Sequence, residues 1–157
     1  MAELDGIVLH LAKVTFDDKE IGLISEAGVE WGGTEPEFTE VTAAQTRSVV
    51  KRVLKKAGTD VMSFRLIELK AQNVVDVMGG TATAGKWTAP ITPVEKEGKL
   101  ELETVTGQKI EAAKASLIGY HRGTIGGDDP LGVECQITIL RDGKTSPYSI
   151  DNTEDEG

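Results

Sequence analysis

Between Glu20 and Gly80 the apolar residues come in short runs, each closed by a turn signal. Ile21 to Ile24 is followed by Ala27-Gly28, Val29 to Trp31 by Gly32-Gly33 and Pro36, and Asp60 to Glu68 by a short helical pattern that stops at Gly79-Gly80. Runs of this length bounded by Gly and Pro are strand signals. The same stretch holds no Cys and no His. A segment so well patterned and so poor in reactive groups points to assembly rather than chemistry.

The rest of the chain continues the pattern. Ile7 to Leu11 and Lys13 to Phe16 read as one strand or two, ending at Asp17-Asp18-Lys19. Phe38 to Ala43 alternates weakly. In Asp60 to Glu68, Met62, Phe64, Leu66 and Glu68 fall on one face and Val61, Ser63, Arg65 and Ile67 on the other. Leu69 to Met78 carries a helical stripe of Leu69, Asn73, Val74, Val77 and Met78, with Gly79 placed to end it in the left-handed conformation. Thr81 to Pro93 reads as loop. Lys99 to Thr106 sets Leu100 and Leu102 against Glu101 and Glu103. Ile110 to Tyr120 fits a helix by its alanines. As a strand it sets Ile110, Ala112, Lys114, Ser116 and Ile118 against Glu111, Ala113, Ala115, Leu117 and Gly119. Val133 to Leu140 is a strand with Val133, Cys135, Ile137 and Ile139 inward, and Asp142-Gly143 is a turn. Tyr148 to Ile150 suggests a last short strand. One domain over residues 1–150 and an acidic tail over 151–157 account for the chain.

Bulk properties narrow the function. A length of 157 residues allows one sizeable core. Seventeen Lys and Arg against 26 Asp and Glu give a net charge of −9, which disfavours chain-wide binding to nucleic acid. The single Cys135 rules out an intrachain disulfide framework. The acidic start with its short apolar run does not read as a secretory signal. No apolar run approaches the roughly 20 residues of a membrane helix.

Candidate reactive groups do not form a set. His10, His121 and Cys135 lack zinc-ligand spacing, and neither Ser116 nor Cys135 with His121 sits in a nucleophile motif. The glycine-rich pieces at 80–86 and 123–129 lack phosphate-loop spacing and read as turns. No catalytic residue, metal or cofactor is expected. The one charge anomaly is Arg47, Lys51, Arg52, Lys55 and Lys56, five bases with no acid between Val41 and Thr59. Taken alone, Arg47 to Lys56 leans toward a helix, with Val49, Val50, Val53, Leu54 and Ala57 in helical spacing, although its valines favour a strand. It suits contact with an acidic patch on another copy of the chain. A solvated face and a small nucleic-acid-binding surface over 47–56 are the competing readings. Among the acids, Glu101 and Glu103 suit a solvated or channel-facing wall better than general acid chemistry.

The order of the pieces resembles the major tail tube proteins of long-tailed bacteriophages. The likeness is carried by Ile21-Gly22-Leu23-Ile24, Gly28-Val29-Glu30-Trp31, Glu40 to Thr46, Gly58-Thr59, Val61 to Leu66 with Glu68, Asn73 to Gly80, and Val133 to Leu140 with Asp142-Gly143. It spans about residues 20–145 as diffuse patterns rather than an invariant signature.

That resemblance implies a mainly β fold of two packed antiparallel sheets, sandwich- or barrel-like, with one flanking helix. It implies hexameric rings whose strands join across subunits into an inner barrel, stacked into a hollow tube for genome delivery. Tubes of contractile injection and type VI-like secretion systems are similar in fold and supply the alternative. The implied partners are further copies of the chain, the tape-measure protein, and terminator or baseplate proteins, with DNA passing without specific binding and no membrane. The implied location is the virion tail, with the host cytoplasm during assembly. The family's arm to the adjacent ring falls roughly on Thr42–Thr59, which favours an extended arm or hairpin over the helix. On this reading Arg47, Lys51, Arg52, Lys55 and Lys56 are inter-ring or inter-subunit contacts, and Glu101, Glu103 and Glu111 face the lumen.

Overall fold

The computed structural model describes Val8 and residues 10–152. Among these residues twelve strands run in the order β1 (Leu11–Phe16), β2 (Lys19–Ile21), β3 (Glu30–Gly32), β4 (Glu37–Ala43), β5 (Ser48–Lys56) and β6 (Asp60–Leu66), then helix α1 (Ala71–Met78). There follow β7 (Thr81–Thr83), β8 (Lys86–Thr88), β9 (Lys96–Thr104), β10 (Gln108–Arg122), β11 (Gly132–Ile139) and β12 (Ser149–Asn152). The fold is mainly β with one helix, as the sequence suggests. Ile7 and Leu9 of the first strand reading lie outside the described residues, as does 153–157 of the tail. Asp151 and Asn152, placed in the tail from sequence, belong to β12.

The main sheet is antiparallel, in the order β2-β1-β9-β10-β11-β6-β3, with β12 also on β10. Its two layers are the two halves of one curved sheet. The first part of β10 pairs with β9 and β12, and its second part with β11. The chain after β2 draws the sheet's ends together: Ile24 bridges Leu66, Ile67 N–H donates to Leu23 O, and Ser25 N–H donates to Arg65 O. The curved inner face holds the core.

Strict alternation explains most of that core. Val14 and Phe16 of β1, Leu100 and Leu102 of β9, Met62, Phe64 and Leu66 of β6, and Val133, Cys135, Ile137 and Ile139 of β11 are all buried. Each apolar side chain moved from water contributes on the order of 1.5–3 kcal/mol before entropy is counted. Asp17 and Asp18 close β1 onto β2 with φ of 53° and 64°, the paired positive angles of a tight hairpin turn.

β10 is a strand, and its alternation changes phase. Ile110 and Ala112 point inward, but so do Ala115 and Leu117, because the pairing with β9 shifts between Ala112 and Ala115. The two-face reading from sequence therefore holds only as far as Ala112. An extra residue at a bulge lets a long strand turn from one layer into the other without losing its inward set.

Helix α1 starts at Ala71 rather than Leu69 and buries Val74 and Val77. Gly79 has φ 77° and ψ −158°, positive but outside the left-handed helical region, and its N–H still donates to Val75 O. Lys96 Nζ adds a cationic donor to the same carbonyl at 2.7 Å. The span read as loop contains the hairpin β7–β8. Its Trp87 donates from Nε1 to Gly79 O at 2.8 Å and packs on the His121 ring with centroids 5.3 Å apart. This pins the end of the helix against the sheet.

Candidate assembly surface

The basic run lies on an extended arm. β4 and β5 pair antiparallel from Glu37↔Lys56 to Ala43↔Ser48, so the helix first read over Arg47–Lys56 is replaced by a hairpin. The arm starts at Glu37, earlier than the Thr42 taken from the resemblance. Its turn closes where Arg47, at φ 54°, donates its N–H to Ala43 O at 2.8 Å.

The arm's root is held by hydrogen bonds between the residues that flank its two strands. Thr34 N–H donates to Thr59 Oγ1 at 2.9 Å, and Thr59 N–H donates to Thr34 O at 3.1 Å. Gly33 and Gly58 have φ of 128° and 86°. A Cβ on Gly33 would collide with Thr59 O, and one on Gly58 with Thr34 O, so both positions require glycine. Beside this root Asp60 accepts from Trp31 Nε1 at 3.2 Å and from Arg141 at 2.7 Å.

Beyond the root the arm is open. Every residue of β5 is exposed. Phe38, Val41, Val49, Val50, Val53 and Leu54 are exposed by 39–56%. Phe38 pairs with Leu54 on one face, while Thr39 with Val53 and Val41 with Lys51 alternate onto the other. Apolar side chains thus sit on both faces of a two-stranded ribbon, which is marginal in water by itself. Contiguous exposed apolar surface of this kind marks contact sites. The arm's five bases against Glu37 and Glu40 give it a net +3, which leaves −12 on the rest of a chain whose total is −9. Lys56 reaches Glu37 at 3.9 Å and Arg52 lies 3.4 Å over the Phe38 ring. Arg47, Lys51 and Lys55 have no ion-pair partner among the described residues.

The structure brings Glu101, Glu103 and Glu111 onto one outer face of β9 and β10, interleaved with lysines. Lys13 meets Glu103 at 3.1 Å, Lys99 meets Glu101 at 3.0 Å and Glu111 at 3.5 Å, and Lys109 meets Glu111 at 3.3 Å and Glu101 at 3.5 Å. The bond and charge of Lys99, then Lys109, hold the Glu101 carboxyl below its ordinary range. A general acid needs the opposite shift. Hydrogen bonding to Glu101 raises Lys99, and hydrogen bonding to Glu111 raises Lys109. The wall is a mixed lattice rather than an acidic strip. Its lysines come from register across three strands, which sequence order does not display.

The sequence's reactive candidates lie apart. His10 precedes β1, and His121 packs on Trp87 near the end of β10. Burial, then the charge of Glu134, pushes the Cys135 thiol up to about 12. Ser116 donates to Glu95 at 2.6 Å, a partner the sequence did not suggest. No group of three or more His, Cys, Asp or Glu side chains gathers as a metal site among the described residues.

No family model matches this chain, and no curated protein matches it. Among solved structures it is similar to a chain from the cryo-EM structure of an extracellular contractile injection system, the PVC sheath/tube terminator in its extended state. That likeness has a TM-score of 0.50 at 11% identity and covers 92% of this chain and 94% of the other. A chain from the sheath–tube complex of such a system in its extended state is more distant, with a TM-score of 0.45 at 9% identity over 97% of each chain. The first likeness shows a common fold over nearly the full length of both chains.

Proposed function

We propose that this chain is a structural subunit that assembles with its own copies into stacked rings of a hollow tube. The observation that carries the reading is the arm, a ribbon hydrogen-bonded at its root with apolar side chains on both faces and a net positive charge, on a chain that is otherwise strongly negative. A surface of that kind calls for a partner, and the rest of the chain has the complementary sign. The shared fold with a chain from a sheath/tube terminator structure supports a tube-related role. A phage tail and a contractile injection system fit about equally.

In either setting the ring is hexameric and the Glu101, Glu103 and Glu111 face lines the lumen, with Lys13, Lys99 and Lys109 keeping it near neutral. In a phage tail the conduit serves genome delivery and DNA passes without being held. The tape-measure protein and terminator or baseplate proteins are then the further partners. The subunit resides in the assembled tail after joining it in the host cytoplasm. Negative-stain microscopy of the purified chain tests the reading. Six-fold rings or long hollow tubes are expected. A strictly monomeric chain at high concentration in every condition would overturn it.

A further inference from the structure

One groove on the main sheet has the features that the arm lacks. β1 pairs with β9 from Leu11 to Phe16 with a bulge at Ala12, but β2 covers its other edge only from Val14 to Phe16. Opposite Leu11–Lys13, whose second edge no strand covers among the described residues, the segment after β2 is tied to β6 through Leu23 and Ser25. Between them lies a groove of about 570 Å³. Its floor includes the partly buried Leu11 and Ile24. Glu20 and Glu26 line it, are exposed, and have no ion-pair partner among the described residues. The other charges there are already engaged. Lys13 pairs with Glu103 at 3.1 Å, and Glu68 accepts Leu23 N–H at 3.1 Å and meets Lys70 at 3.3 Å.

The arm and the groove sit at opposite ends of β6. The arm is rooted at Thr59 beside Asp60, whereas the groove opens where Ile24 bridges Leu66. A strand of this length spans about 20 Å. Contact between the two therefore joins different copies head to tail, a heterologous contact that builds rings or open stacks.

We propose that the Glu20 and Glu26 groove receives the β4–β5 arm of a second copy. The free edge of β5 runs along the second edge of Leu11–Lys13, a strand-addition contact. Lys51 and Lys55 meet Glu20 and Glu26, and the arm's Val and Leu side chains cover Leu11 and Ile24. The proposal rests on the self-assembly reading above and names the surface that completes it.

Two full-length variants test it, Glu20→Lys with Glu26→Lys in the groove and Lys51→Glu with Lys55→Glu on the arm. Sedimentation velocity at low salt is run on each alone and on an equal mixture. Each variant alone is expected to remain a protomer at concentrations where the unsubstituted chain assembles. The mixture is expected to assemble, because each arm then finds a groove of opposite charge, and this rescue also shows that both variants are folded. Assembly of the groove variant alone, or failure of the mixture to assemble when both variants melt like the unsubstituted chain, overturns the groove and leaves the tube reading standing. A variant that melts early is replaced by Glu20→Gln with Glu26→Gln, for which weaker assembly is expected and unchanged assembly overturns the groove. An unsubstituted chain that never associates overturns both.

Discussion

The main sheet and the β4–β5 arm are built from the same strand-forming residues, yet one buries its apolar side chains and the other exposes them. In β11, Val133, Cys135, Ile137 and Ile139 all point into the core. In β5, Val49, Val50, Val53 and Leu54 are all about half exposed. The main sheet supplies its own second layer by curving at β10, and the arm has none. A two-stranded ribbon that keeps this much apolar surface in water has the features of a contact site, which is what the proposed self-assembly rests on. In the main sheet patterning sets stability; in the arm, on the proposed reading, it sets association.

Substitutions separate the two regimes. The largest expected effect is Val53→Asp with Leu54→Asp on the arm, which abolishes assembly in electron micrographs. Thermal melting of the protomer stays within about 0.5 kcal/mol of the parent, as for surface changes generally. Loss of the fold in that variant would mean that the arm is part of the core. Leu117→Ala has the reverse signature. It removes a fully buried side chain and lowers stability by about 2–5 kcal/mol in denaturant unfolding. Gly58→Ala acts at the junction, placing a side chain at φ 86° against Thr34 O. A cost of about 1–3 kcal/mol is expected, with weakened assembly because the arm leaves at another angle. An unchanged melting curve would show that the root is not strained.

The smaller effects are electrostatic. The native state holds the Cys135 proton that an unfolded chain releases near its ordinary value, so its contribution is complete below pH 9 and is lost as pH rises toward 12. Thiol reagents at pH 8 are therefore expected to label Cys135 only on unfolding, and rapid stoichiometric labelling of the native protein would contradict the burial. The Lys–Glu lattice has two flanks. Glu101, depressed, contributes above its ordinary value and loses that contribution as pH falls through its lowered one. Lys99 and Lys109, raised, contribute below their ordinary value and lose it as pH climbs through their raised ones. Glu101→Gln should flatten the acid flank of the stability profile, and an unchanged flank would count against the pairing.

The same contrast explains what the sequence made legible. β6 and β11 alternate without interruption because a buried face fixes their phase, so the two faces of β6 and the inward residues of β11 are readable from the sequence. β10 is not, because a bulge near Ala113 and Lys114 has no compositional mark and reverses the phase behind it. The arm was ambiguous between helix and strand for a related reason. With both faces exposed, nothing within one copy selects a two-residue period, and the β-branched valines favoured a strand too weakly to decide without the resemblance. Hairpin β7–β8 went unread because its strands have three residues each around Ala84-Gly85, too few to alternate. The five bases were visible as a run. Their separation from the Glu20 and Glu26 groove, and the lysines that interleave with Glu101, Glu103 and Glu111, depend on register and topology.

Hydrogen–deuterium exchange on the arm tests the central claim most directly. In dilute protomer, the outward N–H groups of β5 should exchange rapidly while those of β11 stay protected. In assembled material, the β5 groups should become protected as well. Equal protection of β5 in protomer and assembly, or rapid exchange in both, would contradict an arm that is completed by a second copy.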